Sequence, residues 1–263
     1  LEAPGLSVKE CAVAAIKLPV ANYREFLRLS CLPIALTVPL QLLSVYIWYH
    51  VSKRPIISTL INAPQVVIDI PFAVAWIRLS INGPGSVARR SLFPFGRVER
   101  NFLFAELTMG FAISTLIGAG VGAIVVALQT SHAQRVILTA AFMLLGIMLI
   151  AAGFLVVARL PLIVVMVALQ RYAGLRACWR LSRGVGLRTI GIVVLATLPF
   201  SIGMAIGGAI QSFTANSIWC VLPATVYIFF EFLERAASFG ALAIIYKFQT
   251  ESLQPKPEQA ALS

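Results

Sequence analysis

The sequence predicts an all-α, polytopic integral membrane protein: about six transmembrane helices set as three hairpins, plus two short amphipathic surface helices. Three observations predict it. First, 59% of the 263 residues are hydrophobic and only 12% charged, about half the charged share of a soluble domain. Second, the apolar residues are grouped into runs of more than about eighteen, the length needed to cross a bilayer. Third, the cations crowd into alternate loops. A mean hydropathy of +0.91 excludes a soluble globular domain, a disordered chain and a coiled coil.

The elements follow in order. Residues 1–29 read as an amphipathic, interfacial segment. Val8, Cys11, Ala12, Ala15 and Ile16 recur at helical spacing, while Lys9, Glu10 and Lys17 fall elsewhere on the wheel. This predicts a short helix on the membrane surface, stopped near Pro19. Span one, about 31–51, ends in Tyr46, Trp48, Tyr49 and His50, an aromatic belt of the kind found at headgroup level. Lys53 and Arg54 form a short turn into span two, about 55–79. Residues 80–100 form a basic loop opened by the turn signal Asn82-Gly83-Pro84-Gly85.

Span three, about 102–128, is rich in glycine. A polar turn leads to span four, about 136–159, after which Pro161 interrupts. The apolar stretch 162–169 is too short to cross alone and reads as a kinked or interfacial continuation. Residues 171–183 form the second surface-helix candidate. Tyr172, Leu175, Cys178 and Trp179 lie on one side, Arg176, Arg180 and Arg183 on another, and Gly184 is placed to end it. Spans five and six are about 189–210 and 218–246, and the tail 249–263 reads as disordered.

Charge sets the expected orientation. With six spans and a cytoplasmic N-terminus, 17 of the 21 Lys and Arg residues fall on the inner side, and only Lys53, Arg54 and Arg135 on the outer. Both termini are then cytoplasmic. The net charge of +11 is thus a topology signal rather than a nucleic-acid signal.

The residues that break the apolar pattern are the candidates for function. Asp69, Glu106, Glu231, Glu234 and Arg235 fall within or near the edges of spans. A charge at mid-bilayer costs about 2.5–3.5 kcal/mol on insertion scales, so such groups need partners. Glu231 and Arg235 are four apart and can pair on one helix face. Ser58, Asn62, Gln65 and Asp69 are spaced to line one face of span two, beside Pro64 and Pro71. We expect this stripe to meet the span-six cluster, with Arg235 shared between Asp69 and Glu231 and Glu234 left as a surplus acid. Such a network serves as a clasp between helices or as a proton or substrate path, and the clasp is the commoner use. Glu106, close to Arg100, reads as an interfacial charge.

Gly118 and Gly122, and Gly203 and Gly207, have the small-xxx-small spacing of close helix packing, within the monomer or against another subunit. Arg89, Arg90, Arg176, Arg180 and Arg183 are candidates for contact with anionic lipid headgroups. The four cysteines form no CxxC pair, and His50 and His132 are not helical neighbours. No metal or cofactor is expected, and no phosphate-binding loop or catalytic motif is present.

Two stretches carry a resemblance. One runs from Arg159-Leu160-Pro161 to Gly174-Leu175-Arg176-Ala177-Cys178-Trp179-Arg180-Leu181-Ser182-Arg183-Gly184; the other is Ala73-Val74-Ala75-Trp76-Ile77-Arg78-Leu79. They resemble uncharacterised proteobacterial inner-membrane proteins akin to the membrane domain of glycerophosphodiester phosphodiesterases. Here Ser182 stands for the commoner Thr and Cys178 for the commoner Ser. In that family the phosphodiesterase chemistry belongs to a separate soluble domain, so the resemblance implies a bacterial inner-membrane location and no catalytic residues. The expected function is non-enzymatic: an accessory or scaffold subunit packing against anionic lipids and other integral membrane proteins, or against copies of itself. The alternative is a small transporter or channel using the polar residues of spans two and six.

Overall fold

A computed structural model describes residues 7–51, 55–87, 95–129, 136–172, 174–214 and 217–252. Among them there is no strand. The described residues form nine α-helices in order: α1 (Val8–Ala21), α2 (Tyr23–His50), α3 (Pro55–Asn82), α4 (Arg97–Gln129), α5 (Val136–Arg159), α6 (Leu162–Ala168), α7 (Leu175–Leu181), α8 (Gly186–Thr214) and α9 (Val221–Ser252). Among the described residues five stretches are long and apolar enough to cross a membrane: Tyr23–His50, Leu60–Asn82, Arg97–Leu128, Thr139–Ala168 and Gly186–Thr214. That is one fewer than six. α9 is 32 residues long, but Glu231, Glu234 and Arg235 interrupt its apolar run.

α9 is the hub of the bundle. It packs against α1, α2, α3, α6 and α8. α3 is covered on all sides over its second half, where Ile70, Val74, Trp76 and Ile77 have no solvent exposure. The α4–α5 hairpin packs chiefly on itself and meets the remainder through α3, α6 and α8. Its seam is made by glycine: a Cβ on Gly120 would come within 2.8 Å of the Gly146 carbonyl oxygen. This lets the two backbones touch.

Several expectations are corrected. Pro19 does not stop α1: it lies inside the helix and is buried, and the chain turns at Asn22, whose side-chain amide donates to the Leu18 carbonyl at 3.0 Å. Its Ala12 and Ala15 are buried against α8 and α9, while Lys9, Glu10 and Lys17 on its other side are exposed. The alanines are small enough for α1 to sit in the groove between those two helices. Residues 23–29, assigned to the interfacial segment, are the first turns of α2.

The stretch after Pro161 follows the first of its two expected forms: α5 and α6, broken at Leu160 and Pro161, make one apolar stretch, Thr139–Ala168. Leu162, Ile163, Val164, Val165 and Met166 are all buried in α6. The α7 helix is shorter than 171–183, and of its apolar side only Cys178 is buried; Tyr172, Leu175 and Trp179 are exposed. At the other end, α9 runs on to Ser252, with Gln249 buried, so the first four residues of the expected disordered tail are helical. Residues 253–263 lie outside the described residues.

Candidate functional site

The polar stripe of α3 faces α9. Asp69 is buried, at 2% exposure, and its Oδ2 lies 2.9 Å from Nη1 of Arg235. The other arm of that guanidinium, Nη2, donates to Glu231 Oε1 at 2.9 Å. Gln65 donates through Nε2 to the same Glu231 oxygen at 2.7 Å. One turn farther along, Asn62 donates to the Ser44 hydroxyl of α2 at 3.2 Å. The stripe therefore joins three helices. The side chain of Ser58 lies outside the described residues.

The Asp69–Arg235 contact is an ion pair rather than a directed hydrogen bond, and neither Asp69 oxygen has a hydrogen-bond partner among the described residues. A buried carboxylate held only by charge depends wholly on its cation. Glu234 points the other way and accepts from the Ser201 hydroxyl of α8 at 2.9 Å. The surplus acid thus ties α9 to a further helix.

Glu106 differs from its reading as an interfacial charge. It lines a cavity of about 490 Å³ between α4, α5, α6, α8 and α9, together with Arg235, Thr189 and Ser238. Its field reaches both Arg235 and Asp69. A signal was present: Glu106, Met109 and Ile113 stand at helical spacing and line the same cavity. Ser44 and Ser201 gave no such signal, because a lone serine in an apolar helix has many local uses. Three acids, Asp69, Glu106 and Glu231, thus stand about one arginine, an arrangement that can hold helices in register or hold a proton among carboxylates.

The glycine pairs part ways. A Cβ on Gly203 would come within 2.5 Å of the Phe230 ring, and one on Gly207 within 3.3 Å of the Tyr227 backbone, so both pack α8 on α9. Gly118 and Gly122 have nothing within 4 Å at the Cβ position. They share an outward face of α4 with Phe104, Phe111 and Val125, all exposed. Arg176, Arg180 and Arg183 are exposed around α7. Arg89 and Arg90 lie outside the described residues.

The two stretches that carry the family resemblance act as ties between helices. Trp76 is fully buried and donates through Nε1 to the Ala236 carbonyl of α9 at 2.8 Å. Arg78 donates to the Ala168 carbonyl, at the C-terminus of α6, at 2.7 Å. On the other side of the bundle the Arg159 guanidinium lies over the Trp179 ring at 5.4 Å and donates to the Ser182 carbonyl at 3.1 Å. The Cys178 thiol lies 3.7 Å from the Arg159 carbonyl, and burial pushes its pKa up to about 11. Among the described residues no group of three or more His, Cys, Asp or Glu side chains could hold a metal ion. No protein-family model, curated protein or solved structure matches the chain.

Proposed function

We propose that this is a non-enzymatic scaffold or accessory subunit of the bacterial inner membrane, with six spans and both termini cytoplasmic. α9 is the sixth span. Its charges are compatible with the bilayer because they are spent on neighbours: Arg235 on Asp69 and Glu231, Glu234 on Ser201. The observation that carries the reading is this mutual engagement of α3 and α9 at Arg235. Paired groups of this kind fix helix register. The outward face of α4, with Gly118 and Gly122 uncovered, supports the packing of another membrane protein there.

The test is photo-crosslinking in intact membranes from a photoreactive residue at Phe111 or Val125. A protein adduct of one defined mass, lost in Gly118→Leu, is expected. Adducts to lipid alone, with a monomer in native mass spectrometry, would overturn the scaffold reading. A second reading, a small transporter, is favoured by the cavity that Glu106 shares with Arg235. It requires that Glu106→Gln abolish a proton-coupled flux in reconstituted vesicles.

A further inference from the structure

A second, larger cavity adjoins the Glu106 cavity along α4, where Met109 lines both. It has a volume of about 870 Å³ and is bounded by α4, the α5–α6 break, α6 and the segment leading into α7. This is within the range of about 300–1,000 Å³ common for small-molecule sites. Its lining is sorted by polarity along α4. Arg97 and Asn101 stand at one end; Ala105, Met109 and Ala112 follow, with Ile163 and Val167 opposite. Thr108 donates its hydroxyl proton to the Phe104 carbonyl at 2.7 Å, so it offers the cavity no free donor. From Arg97 to Ala112 the helix rises about 22 Å at 1.5 Å per residue. That spans a headgroup layer and one leaflet, whose hydrocarbon is about 15 Å deep.

The polar end has a further peculiarity. Gln170 lines it and has φ +59°, the one non-glycine residue with positive φ among the described residues. It closes α6: Gln170 N–H donates to the Val167 carbonyl at 3.0 Å and Arg171 N–H to the Met166 carbonyl at 2.8 Å. This is a Schellman end, where glycine is usual. A glutamine there keeps a strained backbone and adds an amide to the rim of the cavity. Among the described residues no carboxylate lines the cavity; the guanidinium of Arg97 stands there with the amides of Asn101 and Gln170 and the hydroxyl of Tyr172.

We propose that this groove is a binding site for one anionic phospholipid, its phosphate at Arg97 and Asn101 and an acyl chain laid along α4 toward Ala112. The inference rests on the membrane placement given above, and it adds a discrete site to the diffuse attraction of exposed arginines. The test uses the full chain in mild detergent, titrated with phosphatidylglycerol or phosphatidylcholine of equal chain length and read by native mass spectrometry. One retained phosphatidylglycerol per chain is expected, bound at least about tenfold more tightly than phosphatidylcholine. Arg97→Gln should remove about that factor. Ala112→Trp, which fills the apolar end, should abolish retention of both lipids. Arg24→Gln, an exposed cation on α2, should change nothing. Equal retention of the two lipids, or retention unaffected by both Arg97→Gln and Ala112→Trp, would overturn the proposal. So would binding of free glycerol phosphate as tight as that of the lipid, which would assign the site to a soluble anion. Failure here leaves the photo-crosslinking outcome unchanged, since that reads the outward face of α4.

Discussion

Gln65 and Glu231 are separated by 166 positions and meet at 2.7 Å, with the amide of α3 donating to the carboxylate of α9. The oxygen that receives this bond also receives Arg235. Glu231 is therefore held from two helices, and its second donor does not depend on its charged neighbour. These contacts explain how a helix with three charges in its middle is placed at the centre of an apolar bundle. Each charge meets a group brought by another element, and α9 is fixed in rotation and in height.

Trp76 should be the most sensitive apolar position in α3. It is fully buried, packs its ring against Phe26 and Phe72, and donates to the Ala236 carbonyl. Trp76→Phe removes the hydrogen bond and part of the volume. We expect a loss of about 1–3 kcal/mol, read as a lower midpoint of thermal unfolding in detergent. An unchanged midpoint would place the indole outside the packed core.

Neighbouring glycines of α4 should respond with opposite signs. A Cβ at Gly120 would press on the Gly146 carbonyl oxygen, which cannot move without moving α5. Gly120→Ala should cost about 1–3 kcal/mol. Gly118 faces open space, so Gly118→Ala should leave the monomer as stable or raise its stability by roughly 0.5–1 kcal/mol through helix propensity. The pair controls for the sequence context, and equal effects would contradict the α4–α5 seam.

The Cys178 thiol should be inert near neutral pH. With a pKa of about 11, about a thousandth of it is thiolate at pH 8, and the thiolate is the reactive form. Maleimide labelling of Cys178 in the folded protein should rise about tenfold per pH unit from pH 7 to pH 10 and reach completion only on unfolding. Mass spectrometry of the labelled peptide reads this directly. Rapid labelling at pH 7 would mean that α7 does not cover the thiol against Arg159 and Leu160.

Much of the bundle was legible because hydropathy reports length and period. The bounds of α5 coincide with the span expected at 136–159, and the spacing of Asn62, Gln65 and Asp69 marks one face of α3. Period does not report what stands opposite. Gly118 and Gly120 look alike in sequence, yet one faces outward and the other makes the seam with α5. Glu106 lies near a basic loop in sequence and beside Arg235 in space. Leu162–Ala168 is too short to cross a membrane by itself, and only its junction with α5 makes it part of a crossing. For Gly120 and Glu106 the missing information is a contact with another helix; for Leu162–Ala168 the continuation past Pro161 was one of two forms the sequence left open.

The most direct test of the account is a double-mutant cycle on Asp69 and Arg235, measured by unfolding in detergent. Arg235→Leu leaves Asp69 buried without its cation and should cost about 3–5 kcal/mol. Adding Asp69→Asn removes the stranded charge and should restore part of that loss, giving a coupling of at least about 1 kcal/mol. Losses that simply add, within about 0.5 kcal/mol, would show that Arg235 does not hold α3 to α9 and would contradict the clasp on which the proposed function stands.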